Sequence, residues 1–170
     1  GDEIDITLSG TYNETITLQI WDFNHFDKSD GSGKAGICFG MKNLMKDKDS
    51  IIAYGDNQND SWVKSYAKKT IMQNVLNSMS ADLRSYIKEV NTYACSGISN
   101  TIGELSTDKV FIPGITEIEY RDTSQSRAES GQKQFPIFTD DTSRWKYLSN
   151  GNSTEHPKWW SRSTCYGLYN

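Results

Sequence analysis

The central part of the chain constrains its fold more than any other. Apolar residues recur every fourth position over 63–75, and three more widen the same stripe. This is the period of an amphipathic α-helix. Asp60 suits the N-cap of that helix, and Ser80 suits the N-cap of a second helix with apolar residues at i, i+3, i+4 and i+7. The sequence therefore predicts two helices on a core, at 61–79 and 81–90.

Strands are predicted before these helices. Apolar and polar residues alternate over 4–8 and 16–20, and a Gly-bearing turn at 10–13 separates the two runs. Alternation with β-branched residues is typical of half-buried strands, so the chain is expected to begin with a β-hairpin. The apolar run 35–44 predicts a buried strand or a short helix.

The pattern after the helices is less regular. Residues 93–107 are rich in Ser, Gly and Asn and predict a loop, whereas 109–112 and 116–120 resemble strands. The polar stretch 121–134 predicts a long surface loop. Phe-Pro-Ile-Phe at 135–138 predicts an apolar anchor.

Composition sets bounds on function. The chain has 170 residues, which fits one domain, and 12% of them are aromatic. The net charge is −4, and no basic cluster is large enough for a nucleic-acid face. Lys64, Lys68 and Lys69 are expected to form a solvated helix face. No stretch has the length and apolarity of a membrane span, and no signal peptide is present.

The residues that usually carry chemistry form no recognisable motif. Cys38, Cys95 and Cys165 contain no CxxC pair, so three buried thiols are expected, with one disulfide as the alternative. His25 and His156 lack the spacing of a zinc site or a nucleophile motif, and we interpret both as loop or hydrogen-bonding residues.

Two sets of acidic residues resemble metal ligands or catalytic groups. The loop 27–33 resembles the start of a calcium loop, but Cys38 stands where an EF-hand needs a carboxylate, so a tight Gly turn is favoured. Glu117 and Glu119 are expected to share the solvent face of a strand. A hydrolase built from carboxylates far apart in sequence remains an alternative.

The C-terminal segment carries the strongest sign of binding. Adjacent Trp159 and Trp160 would point to opposite faces of a strand, so that one fills the core and the other lines a surface, or else both are buried with Arg162 stacked or salt-bridged. Residues 164–170 then supply Tyr, Gly and Asn, residue types that binding surfaces use.

Four segments together carry a resemblance to a known family. They are Thr15–Ile20 running into Phe23–His25; Ser29–Ile37 with Phe39–Gly40 and Lys42–Leu44; Asp82–Val90; and Arg144–Asn150 with Trp159–Ser163. In these segments the chain resembles a bacterial domain of unknown function that is common in gut Firmicutes, often in surface or phage-associated proteins. That family is similar to C-type-lectin-like domains of the formylglycine-generating-enzyme type, a fold shared by the variable proteins of diversity-generating retroelements.

The resemblance implies where a ligand would be contacted. In such proteins a C-terminal segment on a rigid scaffold touches the ligand, and here it would start just after Ser163. The family usually continues past this point, so a single domain over 1–170 that is truncated at its C-terminus is expected. Neither Glu-Pro-Asn nor Gln-Pro-Asp occurs, and the catalytic cysteine pair has no counterpart, so neither calcium-dependent sugar binding nor the enzyme activity is implied.

The resulting prediction is an α+β fold of the C-type-lectin-like kind, with two helices packed on small antiparallel sheets. We expect a binding module without enzymatic activity, cofactor or metal, displayed outside the cell on a cell surface or virion. Its partner would be a protein or glycan on another cell, with no nucleic acid and no direct membrane insertion. The alternatives are a glycan-acting hydrolase and a structural spacer. The predicted ligand-contacting residues are Trp160, Arg162, Tyr166, Leu168, Tyr169 and Asn170.

Overall fold

The fold was analysed in a computed structural model. The structure describes residues 1–46, 61–96, 99–120, 129, 131–147, 159 and 161–163. Within these residues the protein combines short helices with two small antiparallel sheets, so the predicted α+β class is confirmed. No helix in this part of the chain is long and apolar enough to cross a membrane.

The first sheet contains three strands in the order β1–β2–β3. They are β1 (Glu3–Thr7), β2 (Thr15–Phe23) and β3 (Ile37–Met41). Antiparallel pairing places Ile4 and Met41 on either side of Leu18. The predicted hairpin and the strand alternative for 35–44 are therefore confirmed, but the expected burial of that strand is wrong, because the residues of β3 are half-buried or exposed.

This sheet contributes to two cores. Ile16 of β2 packs with Val75 and Met79 of the helical region. The pairing register shifts between Ile20 and Asp22, and Trp21 within this bulge packs against Phe135 and Phe138 of the second core. Consequently one strand connects the helices with the C-terminal half of the chain.

The first predicted helix is present but shorter than predicted: the chain is helical without a break from 66 to 78, and part of this helix is π-helical. A 3₁₀ turn, Trp62–Lys64, is followed by a π-helical segment, Ala67–Met72, and then by α1 (Gln73–Ser78). Ser65 separates the first two because its backbone is extended, with φ −64° and ψ 150°; its hydroxyl donates to the Trp62 carbonyl. Ala67, Val75 and Met79 of the apolar stripe are buried and its other members are half-buried, so the stripe packs on the core as predicted. Asp60 lies outside the described residues.

The second predicted helix is correct at its start and too long at its end. In α2 (Ala81–Tyr86), the Ser80 hydroxyl accepts from the Leu83 amide, which confirms the predicted cap. The chain then extends, and Val90 opens a strand instead of closing the helix.

The prediction of a loop over 93–107 is wrong. This region contributes to a hairpin of β4 (Val90–Ser96) and β5 (Ser99–Asp108). Its buried positions include small polar residues such as Thr92 and Ser106, so the apolar alternation that reveals a strand is missing.

The predicted strands at 109–112 and 116–120 are also wrong. Residues 109–114 are irregular, and Ile115–Ile118 form one helical turn, α3. Glu117 does not share a solvent face with Glu119, because Glu117 is completely buried.

Other predictions have clear outcomes. Phe135 and Phe138 are buried, which confirms the apolar anchor. Cys38 and Cys95 are free, with Cys95 buried and Cys38 half-buried, whereas Cys165 lies outside the described residues. Of the three lysines expected to form a solvated face, Lys68 instead forms an ion pair with Asp108 at 2.7 Å.

The loop 27–33 is a tight turn, as predicted. Gly31 and Gly33 both have positive φ angles, of 73° and 99°. The Asp30 carboxylate accepts from the Ser32 amide, which is the usual way an Asp stabilises such a turn. Among the residues described, no group of three or more His, Cys, Asp or Glu side chains could hold a metal ion.

Candidate functional site

The candidate site is the base of the C-terminal segment. Of the six predicted contact residues, the structure describes Arg162 alone; Trp160, Tyr166, Leu168, Tyr169 and Asn170 lie outside the described residues. The structure does define how residues 161–163 are attached to the rest of the fold. Four of the predicted contact residues follow these three in the sequence.

Arg162 forms a buried ion pair with Glu117. Both side chains are 0% exposed. The Arg162 Nη1 donates to the Glu117 Oε2 at 2.8 Å, and Nη2 donates to Oε1, so the contact is bidentate. This geometry lets two buried charges neutralise each other, a condition without which either would be strongly destabilising.

The remaining donors of Arg162 reach three separate parts of the chain. Nε donates to the Tyr93 carbonyl in β4 at 3.1 Å, and Nη1 donates to the Ile112 carbonyl at 3.0 Å. Nη2 donates to the Gln132 side chain at 3.1 Å. All three guanidinium nitrogens therefore have partners, and the side chain joins segments that are distant in sequence.

Ser163 and Glu129 complete the arrangement at the N-terminus of α3. The Ile115 amide donates to the Ser163 hydroxyl at 2.7 Å, and the Thr116 amide donates to Glu129 at 3.0 Å. Ser163 also hydrogen-bonds Glu129. The first amides of a helix have no partner within it, and here side chains satisfy them. We call Arg162, Glu117, Glu129 and Ser163 the Arg162 clasp.

The main chain is held as well as the side chains. The Arg162 amide donates to the Pro113 carbonyl at 3.0 Å, and the Gly114 amide donates to Glu117 at 3.0 Å. The backbone at 162 is therefore fixed directly against the turn that precedes α3.

Electrostatics explain why the clasp tolerates burial. Burial, the largest single influence, lowers the pKa of Arg162, but the carboxylates of Glu117, Glu129 and Asp108 together outweigh it, so the pKa lies above its ordinary value. Burial raises the pKa of Glu129 above its ordinary value, although Arg162 opposes the shift. Arg162 is thus charged throughout the physiological range, whereas Glu129 takes up a proton more readily than an ordinary glutamate does.

Trp159, three residues before Arg162, also attaches the C-terminal segment to the rest of the fold. Its indole Nε1 donates to the Arg144 carbonyl at 2.9 Å, and its ring packs against Phe138. Both interpretations of the tryptophan pair place at least one indole on the core, and Trp159 is half-buried against it. Trp160 is not among the described residues.

Arg162, one of the predicted ligand contacts, is fully buried, and all of its guanidinium nitrogens are bonded within the protein. In the described residues it supports the segment through its salt bridge to Glu117, which is one of the arrangements the sequence predicted for this side chain.

Sequence reasoning missed Glu117 and Glu129 as members of this site. Glu117 lies 45 positions before Arg162, and no local pattern links the two. The only signal was an arginine beside two tryptophans, because an Arg in an aromatic setting needs a buried carboxylate partner.

Comparison with known proteins gives one match. A family model described as "Domain of unknown function (DUF6273)" matches residues 41–170. No curated protein and no solved structure matches the chain.

Proposed function

The chain belongs to the DUF6273 family of domains of unknown function, and we propose that it is a non-enzymatic binding module. It recognises a protein or a glycan through the aromatic segment that follows Ser163.

The Arg162 clasp is the observation that carries this proposal. Bidentate pairing with Glu117 and the backbone bond to Pro113 hold the chain immediately before residue 164. A segment that starts from a fixed point loses less conformational entropy when it binds than one attached to a loose loop. A stiff base below a Tyr-rich stretch is the design that rigid recognition surfaces use.

The finer parts of the proposal follow the sequence resemblance. We propose a C-type-lectin-like arrangement, similar to the variable proteins of diversity-generating retroelements, and display on a cell surface or phage particle. The α+β architecture with small antiparallel sheets is compatible with that arrangement.

The test is a binding measurement with the intact chain. The chain is screened on glycan and purified-protein arrays, and any ligand found is then measured against the double variant Tyr166→Ala/Tyr169→Ala. We expect affinity to fall by about 30-fold or more, the loss typical of removing central aromatic contacts.

Tyr86→Ala is the matched control. Tyr86 is 71% exposed on α2, and its loss should leave affinity unchanged. Binding that survives the double variant would refute the role of the segment, and the absence of any ligand on both arrays would count against the binding function.

A further inference from the structure

A cleft beside the Arg162 clasp has its own binding chemistry. It lies between the loop that starts at Phe26, strand β4 and the turn at Gly131, and its volume is about 230 Å³. Sites for drug-sized ligands occupy about 300–1,000 Å³, so this cleft suits one small ring and not an extended chain.

Backbone pairing builds the walls of the cleft. The Asn91 amide donates to the Asp27 carbonyl at 2.9 Å, which joins β4 to the loop. Asn91 and Tyr93 are two residues apart on a strand and therefore share one face, opposite the buried Thr92. Gln132 forms part of the third side.

Several polar groups that line the cleft lack partners. Within the described part of the chain, no hydrogen bond is made by the Asn91 side-chain amide, the Tyr93 hydroxyl or the Gln132 side-chain nitrogen. His25 also lines the cleft; its side chain is 2% exposed, and its Nε2 is buried without a partner. Asn91, Tyr93 and Gln132 are half-exposed, so their polar groups are open to a ligand, and a few polar groups that converge on a concavity are what fixes a ligand's orientation.

The charge of the cleft argues for a neutral ligand. Its two oppositely charged lining residues, Asp27 and Lys34, pair with each other at 3.0 Å. An anionic or cationic ligand would therefore compete with an existing partner for its counter-charge. Groups that both donate and accept, such as hydroxyls, can bond to amides and to a phenol without that cost.

We propose that this cleft binds a single pyranose sugar, either free or as the end of a glycan. The hydroxyls of such a ring match the donor-and-acceptor set of Asn91, Tyr93 and Gln132, and the ring size matches the volume. The cleft and the clasp share a wall, because Arg162 donates to the Tyr93 carbonyl and to the Gln132 side chain.

The experiment measures binding of methyl glycosides to the intact chain by saturation-transfer NMR and by titration of amide chemical shifts. The probes are methyl glycosides of glucose, galactose, mannose and N-acetylglucosamine, with glycine as a zwitterionic comparison. We expect at least one glycoside to saturate with a Kd of about 0.1–10 mM, which is in the weak range for a small ligand with few contacts. Glycine should not bind.

Two conservative variants assign the site. Asn91→Ala should weaken that glycoside by about tenfold, and Tyr93→Phe, which removes only the hydroxyl, by about fivefold, corresponding to the loss of one hydrogen bond each. Tyr86→Phe is the control and should bind as the wild type does. Thermal unfolding of each variant checks that the fold is retained.

The outcomes separate this inference from the proposed function. Tyr166→Ala/Tyr169→Ala should leave glycoside binding unchanged, since those residues belong to the other site. The sugar site would be overturned if every glycoside failed to bind, if glycine bound better, or if both Asn91→Ala and Tyr93→Phe kept their affinity. None of these outcomes would contradict the proposed binding function of the C-terminal segment.

Discussion

At the scale of single residues, the pairing of Arg162 with Glu117 is the most consequential contact. Each side chain is buried, and each would be an uncompensated charge without the other. Such pairs add little net stability compared with well-packed apolar residues, but losing one partner is strongly unfavourable. The pair therefore specifies which chain segments meet. Replacing one partner lowers the free energy of unfolding strongly, whereas replacing both has a smaller effect.

A double-mutant cycle tests this reading. Arg162→Met should lower the free energy of unfolding by about 3–5 kcal/mol, because Glu117 stays buried without its counter-charge. Adding Glu117→Gln should recover part of that loss, since the remaining amide carries no charge. Urea unfolding measures both quantities.

Lys42→Met is the control for the cycle. Lys42 pairs with Glu3 at 2.9 Å where both side chains are substantially exposed, so its loss should cost no more than about 1 kcal/mol. Equal losses in Arg162→Met and Lys42→Met would contradict the buried-pair account.

At the scale of elements, Asp108 determines how the β4–β5 hairpin attaches to the rest of the fold. Its buried carboxylate accepts from the Thr92 hydroxyl at 2.7 Å, the Lys68 ammonium at 2.7 Å and the Trp62 indole at 3.2 Å. Two of these donors come from the helical region. A polar network therefore holds the hairpin where a typical sheet would use apolar side chains.

Asp108→Asn tests how much this network contributes to the free energy of unfolding. The amide loses the charge that strengthens these bonds and turns an NH₂ group toward existing donors, so we expect a loss of about 2–4 kcal/mol in unfolding free energy. Asp5→Asn, at an exposed carboxylate that accepts from Thr17, should change stability by no more than about 0.5 kcal/mol. Denaturation of the two variants side by side provides the comparison, and similar small losses would show that the network is dispensable.

At the scale of the whole molecule, Lys146 connects the first sheet with the C-terminal core. Its ammonium donates to the Met41 carbonyl of β3 at 2.9 Å and lies 4.8 Å from the centre of the Trp21 ring and 5.7 Å from that of Phe138. Burial lowers the pKa of Lys146 from 10.5 to about 8. The folded protein therefore releases this proton at a lower pH than the unfolded chain does.

The consequence is a stability that rises with pH. The depressed pKa means that the stabilising contribution is full above pH 10.5 and is lost as the pH falls through about 8. Relative to Lys146→Met, the wild type should gain up to ~3 kcal/mol of unfolding free energy between pH 7 and pH 10.5. Parallel urea titrations across this range measure the difference, and identical pH profiles for the two proteins would refute the assignment.

The sequence by itself determined the elements whose signal is local. The hairpin of β1 and β2 follows from alternation around a glycine turn, α2 begins at the Ser80 cap, and the apolar anchor packs because Phe135 and Phe138 must leave water. In each of these cases, the residues that form the sequence pattern are the same residues that form the observed contacts.

The tertiary structure alone decided the rest, because the deciding partners are distant in sequence. Strand β5 has a polar inner face that is acceptable only because Lys68 and Trp62 satisfy Asp108. Glu117 enters the core only because Arg162 neutralises it. Local propensity cannot assign a buried polar residue, since its burial becomes favourable only when a partner from elsewhere in the chain is in place.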